Sequence, residues 1–332
     1  MPPLARRRAV LAAALSVPAL LPREAVAQTR WVAASPYPDG SFHTRNLRTF
    51  IEDVERATGG RLSIQLHNNA TLLPLPQIKR GVQQGQVQLG EILLSAYGNE
   101  DPFFEVDSVP FLADTWEAAA ALDAATQPYI RARLERQGLA LLYMVNWPSQ
   151  GFYTRGEIRS VEDLRGARFR TYNNLTLRMA ELMGAQPTTV QVAEVAQAFA
   201  TNVINAMITS AQTGVDTSAW DYARVFTDVG GMRARNAILV NLRALNSLDE
   251  ATRSAVREAA ARAAARGLEL AKASETEMVE RLRAQGMQIA RPSPQLMAQL
   301  REIGARQTQE WLQRAGPDGQ QMLERFRAAL RG

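Results

Sequence analysis

Cysteine is missing from all 332 residues, and histidine occurs only twice, at His43 and His67. The first absence removes disulfides, thiolate metal sites and cysteine nucleophiles. The second removes zinc motifs, because neither histidine has a ligand-spaced partner. Also absent are a G-x-S-x-G elbow, a phosphate-cradling P-loop and a G-x-G-x-x-G dinucleotide turn. The many carboxylates fall mostly on helical faces where solvation is their default. The chain therefore reads as a binder rather than an enzyme, with no cofactor and no metal. A hydrolase of small esters would need a nucleophile beside a base, and none is apparent.

Long apolar runs are scarce too. The one at Ala9–Leu21 is 13 residues, short of the ~20 that span a bilayer. It follows Arg6, Arg7 and Arg8 and precedes a small-x-small site at Ala25-Val26-Ala27, the layout of an export signal. Arg7-Arg8-Ala9-Val10-Leu11 also fits a twin-arginine signal, so both export routes stay open. Residues 1–27 are expected to be the signal peptide and the mature protein to be periplasmic. That segment holds four of the 38 basic and one of the 33 acidic residues, so the rest of the chain carries only +2. Its charges are interspersed, and no nucleic-acid partner is expected.

What is present is alternation of strand and helix. Leu47, Phe50, Ile51 and Val54 share one helical face, and Gly59-Gly60 ends it. Leu62, Ile64 and Leu66 alternate as a strand, Leu75–Gln84 forms a helix closed by Gly85, and Val87–Leu93 is the next strand. Further helices are expected over 115–137, 175–184, 194–201, 249–284 and from Pro294 onward, where Leu296, Leu300 and Ile303 form a core stripe. Strands are expected at Leu139–Val145, Ala167–Arg170, Val203–Met207 and Ala237–Asn241. This order implies βαβ units and mostly parallel sheets, with Leu139–Val145 buried on both faces. Without linkers or repeats, it argues for two lobes joined by several crossings.

Two residues stand out by position. Glu91 follows Gly90 at the end of a strand, and Arg170 ends another before Thr171-Tyr172-Asn173. Ligands of open α/β sheets bind at such strand ends, and an arginine there can grip a carboxylate with its planar fork.

Seven short pieces, in order, carry a family resemblance. They are Thr58-Gly59-Gly60-Arg61; Asn68-Asn69-Ala70-Thr71-Leu72; Val82-Gln83-Gln84-Gly85-Gln86-Val87-Gln88-Leu89-Gly90; and Asp107-Ser108-Val109-Pro110-Phe111-Leu112. Ser160 through Arg170, Gly184-Ala185-Gln186-Pro187 and Glu194-Val195 complete the set. Over nearly the whole mature length the chain resembles the solute receptors of tripartite ATP-independent periplasmic (TRAP) transporters, the DctP type. The resemblance implies a type II-like periplasmic binding fold of two α/β lobes around a cleft, bridged by the long helix. Lobe I would comprise 28–146 with about 236–275, and lobe II about 147–235 with 276–332. It implies a monomer that captures a small organic acid and delivers it to TRAP-type membrane permease subunits; a receptor feeding a sensor partner is the alternative.

On the same resemblance, Arg170 clamps the ligand carboxylate. Gln150, Asn173 and Thr209 add hydrogen bonds, Glu91 and Tyr37 approach from the other lobe, and Trp147, Tyr172 and Trp220 stack on or wall off the ligand. Two departures narrow the chemistry. Gln150 stands where some relatives carry a second arginine, and Thr209 where relatives carry an asparagine. Both point away from dicarboxylates and toward a monocarboxylate.

Overall fold

The computed structural model describes residues 28–331, so the expected export signal lies outside the described residues. Strand β1 (Thr29–Ala34) leads through a turn into α1 (Phe42–Ala57), whose Leu47, Phe50, Ile51 and Val54 are all buried. Then come β2 (Leu62–His67), α2 (Leu75–Gln84) and β3 (Leu89–Leu93). Gly85 closes α2 at φ 77°, a left-handed conformation that glycine adopts without strain. Short 3-10 turns, one of them Leu94–Tyr97, connect β3 to α3 (Trp116–Arg136), which is capped by Thr115 and followed by β4 (Leu139–Asn146).

The chain then crosses to a second sheet through Trp147-Pro148-Ser149. It builds β5 (Gln150–Thr154), β6 (Arg168–Thr171), α4 (Asn174–Leu182), β7 (Gln186–Thr189), α5 (Val195–Ala200), β8 (Ala206–Ser210), α6 (Ala211–Asp216) and β9 (Val225–Asp228). It returns over residues 229–234 to β10 (Arg235–Asn241), α7 (Leu242–Asn246) and the 35-residue α8 (Glu250–Ala284). Last come β11 (Gln288–Ala290) and α9 (Pro294–Ala329), which is broken at Gly316.

The first sheet is ordered β2-β1-β3-β10-β4 and the second β11-β9-β5-β8-β6-β7. The expected α/β two-lobe class holds, but the sheets are mixed rather than mostly parallel. β10 runs antiparallel to both β3 and β4, and β5 runs antiparallel to β8 and β9. Each mismatch follows from a crossing: β4 runs straight out of one sheet into the other, and β10 comes back to pair beside it. β4 is accordingly an edge strand with alternating burial, not a strand covered on both faces. The strand expected at Val203–Met207 lies three residues later, because Asn202 turns the chain at φ 62° and leaves Val203 exposed.

Helix α8 packs against α1 and β4 of the first sheet and α6 and β11 of the second. Its buried residues are mostly small, including Ala259, Ala260, Ala263, Gly267, Ala271 and Ser274. A methyl group at Gly267 would lie 2.5 Å from Val145 Cγ2, so the close approach to β4 depends on its absence. Helix α9 also serves both sides. Leu296, Leu300 and Ile303 pack with Phe169 and Met179 around the second sheet. Trp311, Met322 and Phe326 pack with Phe103 and Leu122 beside α3.

Candidate functional site

The strand ends of the two sheets meet at a small, mostly apolar cavity. The second sheet supplies Arg170 from the end of β6, Gln150 from the start of β5, and Thr209 and Ser210 from the end of β8. The first sheet's side supplies Tyr37 from the turn after β1, Leu75 from the head of α2 and Leu93 from the end of β3. Trp147 and Ala234 lie on the two crossing segments, which are joined by a backbone hydrogen bond of 2.7 Å.

Arg170 is only 4% exposed. Its Nε donates to the Val190 carbonyl at 2.9 Å, and its guanidinium sits 4.9 Å from the Tyr172 ring centre. No carboxylate among the described residues lies within salt-bridge distance of it. The other buried arginines differ. Arg235 pairs with Asp107 and Asp123, and Arg233 with Glu275. A buried, unpaired guanidinium is costly unless something arrives to pair it. Burial lowers its pKa to about 10, so the charge persists at neutral pH. The Tyr172 hydroxyl donates to Gln150 Oε1 at 3.3 Å, holding both side chains on the cavity wall.

Not every expected residue reaches the cavity. Glu91 is buried one layer behind it, its carboxylate accepting from Ser35 Oγ at 2.6 Å and Asn236 Nδ2 at 2.9 Å. Burial raises its pKa to about 7. In β3 the side chain pointing from position 91 goes into the lobe interior, beside His43. Asn173 caps α4 by accepting from the Thr176 N–H at 2.8 Å, and its Nδ2 donates to Ser95 Oγ at 2.9 Å. Trp220 sits in a 3-10 turn after α6, packed with the cluster of Phe199, Phe226 and Leu282 rather than against the cavity. Of the residues the resemblance offers, Tyr37, Trp147, Gln150, Arg170, Tyr172 and Thr209 line the cavity, while Glu91, Asn173 and Trp220 lie outside its wall.

Sequence reasoning missed Gln191, Val192, Ser210 and Thr213. Gln191 and Val192 follow the short polar strand β7, which has no hydrophobic alternation to mark it. Ser210 and Thr213 follow directly from Thr209, so the end of β8 was their available signal. Among the described residues no group of three or more His, Asp or Glu side chains could hold a metal ion. No helix described is long and apolar enough to cross a membrane.

The family described as bacterial extracellular solute-binding protein, family 7, matches residues 34–314. The crystal structure of DctP7 from Bordetella pertussis, an extracytoplasmic solute receptor binding pyroglutamic acid, is 46% identical. It superposes with a TM-score of 0.89 over 90% of this chain and 99% of that one. A marine metagenome TRAP solute-binding protein specific for pyroglutamate is 34% identical, with a TM-score of 0.89 over 91% and 99% of the two chains. A solute-binding protein of Chromohalobacter salexigens is 24% identical over 260 residues, 77% of this chain and 76% of that one.

Proposed function

The chain belongs to the bacterial extracellular solute-binding proteins of family 7, and from its likeness to receptors that bind pyroglutamate we propose that its cavity takes pyroglutamate with the carboxylate on Arg170. Members of this family are extracytoplasmic receptors of transporters, and this chain is such a receptor for a small organic acid rather than an enzyme. It acts as a monomer, passing its ligand to the permease subunits of a TRAP transporter, and residues 1–27 direct its export. The lobes divide at the crossings, 28–146 with about 236–275 facing 147–235 with 276–332, and α9 is shared between them.

The observation that carries the clamp is the buried Arg170, which has no carboxylate partner among the described residues, in contrast to Arg233 and Arg235. An arriving carboxylate would supply the missing charge in a bidentate, charge-assisted pair. Two further features favour a compact monocarboxylate. Gln150 offers no second positive charge, and Tyr37, Trp147 and Tyr172 close the cavity around a small flat ring. The likeness to two pyroglutamate receptors supports the identity of that ring.

Calorimetry of the purified protein with L-pyroglutamate tests both parts. The expected result is saturable binding that disappears in Arg170→Ala. Unchanged affinity in that variant would remove the clamp. Absence of binding to pyroglutamate, alongside binding of a different acid, would replace the ligand and leave the clamp standing.

A further inference from the structure

We infer that Asn236, a residue that does not touch the cavity, sets the hydrogen-bonding polarity of its wall and so selects a ligand with an uncharged ring N–H. This inference rests on the pyroglutamate reading and sharpens it.

The orientation of the Asn236 amide is dictated by Trp147. An indole N–H can only donate, and Trp147 Nε1 lies 2.8 Å from Asn236 Oδ1. With the oxygen so placed, the NH2 group turns to Glu91, donating to its Oε1 at 2.9 Å. The oxygen therefore faces Trp147 and the NH2 group faces Glu91. The Tyr37 hydroxyl lies 3.1 Å from the same oxygen. An amide oxygen only accepts, so the phenolic hydrogen is committed to it. What Tyr37 has left for the cavity is an oxygen lone pair. Trp147 has no free donor at all. Asn236 and Glu91 are each 1% exposed and act through these two wall residues.

Across the cavity stands Arg170, near enough to oppose the burial that raises the Tyr37 phenol well above its ordinary range. A ligand with its carboxylate on Arg170 thus turns its ring toward an acceptor. A lactam N–H satisfies that acceptor, whereas the ring oxygen of a lactone meets it lone pair to lone pair. A secondary ammonium would also donate, but none of the cavity-lining residues is acidic. Its positive charge would be buried beside Arg170 without a counter-charge.

The test is calorimetry of the whole protein with three probes of one shape: L-pyroglutamate, freshly prepared 5-oxotetrahydrofuran-2-carboxylate and L-proline. The lactone is expected to bind at least tenfold more weakly than the lactam, and proline not measurably. Tyr37→Phe removes both the acceptor and the lone-pair clash, so it is expected to weaken the lactam and strengthen the lactone until the difference between them collapses. Asn236→Ala frees the Tyr37 hydroxyl to rotate, so the lactam-to-lactone ratio should shrink; a purely structural role would weaken both ligands together. Equal binding of lactam and lactone by the wild-type protein would overturn the inference and leave pyroglutamate standing. Failure of both to bind would overturn the ligand assignment and the inference with it. The wild-type series and Tyr37→Phe decide the matter even where Asn236→Ala does not fold.

Discussion

Asn173 reaches across the molecule to Ser95: its Nδ2, at the head of α4, donates to Ser95 Oγ, just beyond β3, at 2.9 Å. Both residues are buried. Because one follows a strand of the second sheet and the other a strand of the first, this bond exists only with the two lobes together. Ser95→Ala should therefore favour the open form. A hydrogen bond of this kind contributes about 1 kcal/mol, so affinity should fall roughly fivefold, mostly through faster dissociation. Stopped-flow release kinetics check this, and an unchanged off-rate would mean that the contact has no part in closure.

Two arginine-to-methionine changes should have opposite consequences. Arg170→Met removes a buried charge with no acidic partner among the described residues. Ligand affinity should drop by about 3 kcal/mol or roughly 100-fold, while the unliganded protein holds or gains thermal stability. Arg235→Met instead strands Asp107 and Asp123, which hold its Nε and Nη1 at 3.1 and 2.9 Å. That variant should lose about 3–5 kcal/mol of folding stability. Urea unfolding of both proteins without ligand makes the comparison, and equal losses would refute the distinction drawn between them.

Glu91 gives the protein a pH signature. Burial raises its carboxyl pKa from 4.5 to about 7, so between those values the folded state binds more protons than the unfolded one. Stability from this group is therefore full at low pH, declines as pH rises from about 4.5 to 7, and is flat beyond. Glu91→Gln lacks the titration. Relative to that variant, the wild type should lose about 3 kcal/mol across the window. Neighbouring His43, whose pKa burial lowers, has the opposite slope but is common to both proteins. Denaturant titrations at pH 5 and pH 8 measure the difference. A gap that does not change with pH would show that Ser35 and Asn236 fully offset the cost of burial.

The small residues of α9 set a separate constraint. A methyl group at Gly304 would come within 2.3 Å of the Pro110 carbonyl oxygen, a backbone atom with no freedom to rotate away. Gly304→Ala should lower the melting temperature by several degrees, a cost of about 1–3 kcal/mol, without altering ligand affinity in the folded protein. A thermal melt paired with calorimetry separates the two effects.

Helices were the legible part of this fold, because apolar stripes such as Leu47-Phe50-Ile51-Val54 repeat over many residues. β5, β7, β9 and β11 were not, being three to five residues long and carrying polar runs such as Gln186-Pro187-Thr188-Thr189. Strand direction was hidden for another reason: β10 pairs with β3 almost 150 residues earlier, and no local pattern encodes such a partner. At the cavity, strand-end position drew attention to Arg170, but it was the family resemblance that assigned it the clamp. Position could not place Glu91, because position along a strand does not say on which side of the wall a carboxylate ends. The relay from Glu91 through Asn236 to Tyr37 and Trp147 joins four distant parts of the chain, and only the folded arrangement brings them together.

Helix α8 is tied down at two places. Asn46 Nδ2 donates to the Ala263 carbonyl at 2.9 Å, while about three turns further on Ser274 Oγ donates to Gln212 Oε1 at 2.9 Å and Glu275 pairs with Arg233. A rod about 52 Å long, at 1.5 Å per residue, gripped at both stations, has no free joint. Any movement of one sheet against the other would have to flex the turns between Ala263 and Ser274, as one flexes a leaf spring held on either side of its middle. The restoring torque acts whichever way the spring is bent from rest, so such a movement would meet an elastic mount rather than a loose pivot.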